Sequence, residues 1–277
     1  MKSFHYKPVR FFFVTYLISY VFWIIAAFVS RQPGGDAIFV SFLIPGMMAP
    51  FGVALWMLRT SGSATLWNSF KERLFNLRLI RFSGFLPSLL IVPAAIVIAT
   101  SISILTGGDP AQFQFAEGFS FTIGMAPTLL VLILAASFEE LGWRGYGMES
   151  LSADRSYFKA TVIFAILWAC WHLPLFFING TYQNEIAVEN IWYAANFIVS
   201  IIPMTFIINW VYLLNRRSIA GVILFHFLIN LSQEALNISQ ATKSIETIVL
   251  ILIASAIVFF NKKMFFDKFT TNIEVSK

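Results

Sequence analysis

The sequence predicts an all-α fold: a polytopic integral membrane bundle of about eight transmembrane helices, with both termini in the cytoplasm. Three observations carry that expectation. First, 58% of the 277 residues are hydrophobic and only 12% charged, and the mean hydropathy is +0.76, whereas soluble domains are nearer a quarter charged. Second, the apolar residues fall into eight runs, each of roughly 17–25 residues, long enough to cross a bilayer as a helix. Third, the basic residues alternate from link to link in phase with those runs.

The runs are Phe11–Ser30, Ile38–Leu58, Gly84–Leu105, Phe119–Leu141, Phe158–Ile178, Ile191–Leu214, Ile219–Leu236 and Ile245–Phe260. The first follows Lys2, Lys7 and Arg10, as a signal peptide's core does. Its apolar part exceeds a signal core of about 7–15 residues, so it reads as a retained helix. Seventeen of the nineteen Lys and Arg residues then fall on one side: the N-terminal tail, the 59–83 loop, 142–159, Arg216 and Arg217, and the C-terminal tail. Only Arg31 and Lys243 fall on the other. This is the positive-inside pattern of a multi-pass cell-membrane protein with cytoplasmic termini. It also accounts for the net charge of +5 without any nucleic-acid partner. The lipid bilayer is the partner implied. Within the 59–83 link, Leu66, Trp67, Phe70, Leu74, Phe75 and Leu77 interleave with Lys71, Arg73 and Arg78, which reads as a cytoplasmic amphipathic helix on the inner leaflet. No internal repeat or low-complexity linker divides the chain, so residues 1–277 read as a single integral membrane domain. The single cysteine, Cys170, excludes an intrachain disulfide.

Few strongly polar residues lie inside the runs. All four aspartates, Asp36, Asp109, Asp154 and Asp267, sit in links or tails. Glu139 and Glu140 close the fourth run, where an unpaired charge costs on the order of 2.5–3.5 kcal/mol. Arg144 lies four residues after Glu140, on the same helix face, while Glu139 is rotated by about 100° and looks elsewhere. His172 precedes Pro174 in the fifth run, where proline frees backbone carbonyls. His226, Asn230 and Glu234 form one stripe in the seventh. Each of these alone reads equally well as interhelical hydrogen-bonding, as do Asn196, Asn209 and Gln233. Together, an acid, two imidazoles and an amide can hydrolyse: a carboxylate takes a proton from water, and imidazole and amide N–H groups hold a developing oxyanion. Glu139, His172 and His226 also make up the three protein ligands a zinc site usually wants, which leaves open whether water is activated by a divalent metal such as zinc or by the side chains directly.

At these residues the chain resembles the CPBP intramembrane endopeptidases, the family of type II CAAX prenyl proteases and of bacteriocin-processing and self-immunity proteins. The family's first motif, two glutamates, three residues and an arginine, matches Glu139, Glu140 and Arg144. The second, usually phenylalanine, three residues and histidine, reads Trp168 to His172. The third matches His226 and Asn230. The resemblance makes 123–236 the catalytic core of a cytoplasmically accessible protease acting on a membrane-associated peptide or protein. It implies that Glu139 and His172 activate water, that His226 and Asn230 hold the oxyanion, and that Arg144 fixes the acidic helix through Glu140.

Other protease patterns are missing: no HExxH, no pair of membrane aspartates and no Gly-x-Ser-x-Gly. Two non-proteolytic readings remain, a bacteriocin-immunity or scaffold protein that only binds, and a proton-coupled transporter using Glu and His as relays. The run plot also poses a problem of depth. Glu139 ends its run, while His172 lies about 21 Å into the next. The two meet only if the fourth helix continues past Arg144, or the fifth begins before Phe158 or tilts strongly; the continuation through Arg144 is expected, and Gly142, Gly145 and Gly147 would permit close packing there.

Overall fold

A computed structural model describes residues 6–35, 38–118 and 127–267. The elements are α1 (Pro8–Val29), α2 (Val40–Thr60), α3 (Ala64–Phe75), α4 (Phe82–Leu105), α5 (Thr128–Gly142), α6 (Met148–Ser152), α7 (Tyr157–Trp171), α8 (Tyr182–Glu189), α9 (Ile191–Leu214), α10 (Ile219–Ala235), α11 (Gln240–Phe260) and α12 (Lys262–Phe266). Among the described residues no strand forms, although Phe115 and Leu236 make an isolated antiparallel bridge. Among the described residues six stretches are long and apolar enough to span a membrane: α1, α2, α4, Tyr157–Phe177, α9 and α11. The fourth and seventh expected runs correspond to shorter helices, α5 and α10, of 15 and 17 residues. Residues 119–126 of the fourth run lie outside the described residues. The chain is a multi-pass helical membrane protein.

Sequence explains where the helices stop. Ser156, Thr181, Asn190, Ser218 and Ser239 each accept a backbone N–H at a helix start, satisfying donors the helix itself leaves free. The cap at Ser239 starts α11 five residues before the apolar run at Ile245. Pro174 ends α7, and the chain continues as a 3₁₀ turn, Leu173–Phe177, because proline cannot supply the next N–H. Pro45, Pro50, Pro87, Pro93 and Pro203 are accommodated within helices, as membrane helices allow.

The depth problem resolves through one continuous helical path. After α5 the chain makes a π-helical turn, Trp143–Gly147, and passes directly into α6. Glu139 therefore lies 13 residues, or roughly 20 Å, from the end of that path. His172 lies 15 residues, or roughly 22 Å, beyond the start of α7, which follows it. The fourth helix does continue through Arg144, and the two side chains reach the same level. Close packing makes this path fit: a Cβ on Gly142 would stand 2.3 Å from the Pro50 carbonyl carbon of α2.

The 59–83 link holds α3 as expected, but α3 docks on the bundle. Leu66, Phe70 and Arg73 are buried. Arg73 donates to the carbonyls of Arg144 and Gly145 at 2.8 and 3.0 Å and to the Tyr212 hydroxyl at 2.6 Å. It thus ties α3 to the backbone of the π turn. Glu149 pairs with Arg73 at 3.6 Å and with Arg217, closing a buried ionic cluster at this end of the bundle.

Candidate active site

Two adjacent acids on α5 face different surroundings. Glu140 and Arg144 are both 0% exposed. Arg144 Nη1 donates to both Glu140 oxygens, at 2.7 and 2.9 Å. A buried arginine needs more than one partner, and Asn209 Oδ1 on α9 accepts from Nη2 at 3.2 Å. The Asn209 amide donates to Thr161 Oγ1 on α7 at 3.1 Å. Asn209 is the interhelical hydrogen-bonding residue its position indicated, and it locks the motif arginine between α5, α7 and α9.

Glu139 lines a partly open cavity of about 300 Å³. Its Oε2 accepts the indole N–H of Trp168 at 2.9 Å and of Trp143 at 3.3 Å. Sequence reasoning treated Trp168 as an aromatic swap for phenylalanine. The missed signal is the indole N–H, which phenylalanine lacks and which a buried Trp places on an acceptor. The rest of the ring completes the arrangement. Trp168 is in ring contact with His172, at a centroid distance of 5.8 Å, and with His226, at 5.7 Å. One indole thus touches the acid and both imidazoles.

The histidines are each fixed at Nδ1. His172 Nδ1 lies 2.7 Å from the Trp168 carbonyl oxygen. A carbonyl only accepts, so Nδ1 carries the proton and the neutral ring keeps its lone pair at Nε2. His226 Nδ1 lies 2.8 Å from Glu140 Oε1. That carboxylate already accepts from Arg144, so here too Nδ1–H is the donor. Doubly protonated, the His226 ring would also offer an N–H at Nε2. His172, His226 and Asn230 line the same cavity as Glu139. Glu140 and Arg144 stand behind it. The four side chains expected to do chemistry are brought together, and the two expected to support them form the wall.

The trio that would hold a divalent metal, Glu139, His172 and His226, lines this same cavity. Among the described residues no group of three His, Cys, Asp or Glu side chains is placed to hold a metal ion. In the trio Glu139, His172 and His226, Oε2 of the acid is occupied by two indoles and Trp168 packs against both imidazoles. Each histidine bonds another partner through Nδ1, which leaves Nε2 as the nitrogen that would meet a metal or a water.

Residues 121–232 match the model of the type II CAAX prenyl endopeptidase Rce1-like family. That stretch holds Glu139, His172, His226 and Asn230. Over 268 residues the chain is 46% identical to CAAX prenyl protease 2 of Methanococcus maripaludis, covering 97% of this chain and 99% of that protein. The chain therefore belongs to the Rce1-like CAAX prenyl endopeptidase family.

Proposed function

We propose that this membrane endopeptidase cleaves a membrane-associated CAAX-type substrate, with water activated by Glu139 and His172. The observation carrying the reading is that Glu139, released from Arg144 by Glu140, shares one cavity with His172, His226 and Asn230. Glu139 Oε2 is held by two indoles, so Oε1 is the oxygen left for water. His172 Nε2 accepts the second water hydrogen and aims its lone pair at the scissile carbonyl. Glu139 takes one proton as the water oxygen bonds to the carbonyl carbon. The carbonyl oxygen becomes an oxyanion and accepts from His226 Nε2–H and the Asn230 amide. On collapse the C–N bond breaks, and the proton on Glu139 passes to the leaving amine. No step runs through a metal. Eight crossings with cytoplasmic termini complete the proposal, α5 and α10 counting as the fourth and seventh.

The test is cleavage of a farnesylated peptide by the purified protein. Glu139→Ala is expected to lower kcat about 10²- to 10⁴-fold, and His226→Ala about 10²- to 10³-fold, with thermal unfolding near wild type. Prolonged dialysis against a chelator leaves the wild-type rate unchanged. Full cleavage by both variants overturns these residue roles, absence of cleavage by the wild type favours a binding protein, and loss on chelation that zinc restores overturns direct activation.

A further inference from the structure

At the end of the cavity remote from Arg144 stands a cation that the chemistry above does not use. Lys243, in the first turn of α11, lines the cavity with Tyr182 and Gln240. Its ammonium donates to the Tyr182 hydroxyl at 3.2 Å and lies 4.8 Å from the centre of that ring. Both of these partners are neutral, and Glu246 acts on the charge through space. The acid one turn on, Glu246, accepts instead from Gln233 Nε2 at 2.6 Å. Gln240 Oε1 accepts from the Tyr182 hydroxyl at 3.1 Å, which leaves its own amide N–H groups for another acceptor. The start of α11 adds the positive end of a 21-residue helix.

We propose that Lys243, held by Tyr182 and flanked by Gln240, binds the free α-carboxylate of the substrate peptide, and so sets how far from the C-terminus the chain is cut. The inference rests on the proteolytic reading and deepens it. The spacing supports it. Helices α10 and α11 are joined by the short link 236–239 and meet where Gln233 bonds Glu246, so they run in opposite senses. Asn230 lies one turn from Gln233 on the inner side and Lys243 one turn from Glu246 on the outer side. At 1.5 Å per residue, Lys243 is about 9 Å along the axis from Asn230 and about 15 Å from His226. Three extended residues span about 10–11 Å. A carbonyl held between His226 and Asn230 thus leaves room for three residues before a carboxylate reaches Lys243. Glu139, which lines the same cavity at the end of the histidines, would repel that carboxylate from the catalytic end.

The test compares one farnesyl-cysteine peptide, with three residues after the cysteine, as free acid and as C-terminal carboxamide. Wild type is expected to prefer the acid about ten- to a hundred-fold in kcat/KM, the range of a charge-assisted bond, and to do so through KM. Lys243→Met removes the preference by weakening the acid alone, and Lys243→Arg restores most of it. A fourth residue after the cysteine also removes it. The same peptides bound to Glu139→Gln, followed by fluorescence anisotropy, give the comparison without turnover. Cleavage with an unchanged acid-to-amide ratio in Lys243→Met overturns the anchor and leaves the protease reading intact. Equal binding of acid and amide to Glu139→Gln overturns it as well. An absence of cleavage by wild type while acid is bound over amide supports the anchor and counts against the hydrolytic reading.

Discussion

Residue by residue, the site depends on which hydrogen-bonding atom each neighbour offers. The pairing of Glu140 with Arg144 was legible because four residues make one helical turn, and the outward rotation of Glu139 followed from the same geometry. The two indoles on Glu139 were not legible, because contacts between helices depend on how each helix is rotated, which spacing within one helix does not encode. Trp168→Phe tests their contribution. It keeps the ring beside both histidines and removes one N–H from Glu139. One lost hydrogen bond of about 1 kcal/mol lowers kcat about five-fold with KM unchanged, measured by steady-state cleavage. An unchanged kcat would show that Trp143 alone holds the carboxylate.

Among the elements, the π turn at Trp143–Gly147 matters most, as such turns often do at functional sites. It keeps α5 and α6 on one path, and two of its carbonyls accept from Arg73 of α3. The sequence implied the continuation through Arg144, because Glu139 and His172 had to meet. It did not reveal the turn or the inward role of Arg73, which read as one more solvated charge on an amphipathic face. Helix α10 kept its expected limits to within a residue, whereas α7 stopped at Pro174 and α11 began early at its serine cap. The close approach of α5 to α2 gives the prediction at this scale. Gly142→Ala drives a methyl group into the backbone at Pro50, and overpacking of this kind costs about 1–3 kcal/mol. A lowered midpoint of thermal unfolding in detergent is expected, with proportionate loss of activity. An unchanged midpoint would mean that the two helices separate freely.

For the whole molecule, the charge distribution and the cavity define opposite ends. The buried cluster of Arg73, Glu149 and Arg217 and most basic residues mark the end proposed as cytoplasmic. Tyr182, Gln240 and Lys243 lie at the other end of the cavity. Single cysteines in a Cys170→Ser background test the orientation. A cysteine at Lys71 is expected to react with a membrane-impermeant maleimide only after cells are opened, and one at Asn237 in intact cells. The reverse pattern would invert the chain and put the Lys243 end at the cytoplasm. The central claim, that Glu139 and His172 work on one water, is tested most directly by a kinetic cycle on peptide cleavage. Groups that act as a unit are strongly non-additive, so the double variant Glu139→Gln with His172→Ala should be about as slow as the slower single variant. Losses that multiply, or either single variant cleaving at the wild-type rate, would contradict it.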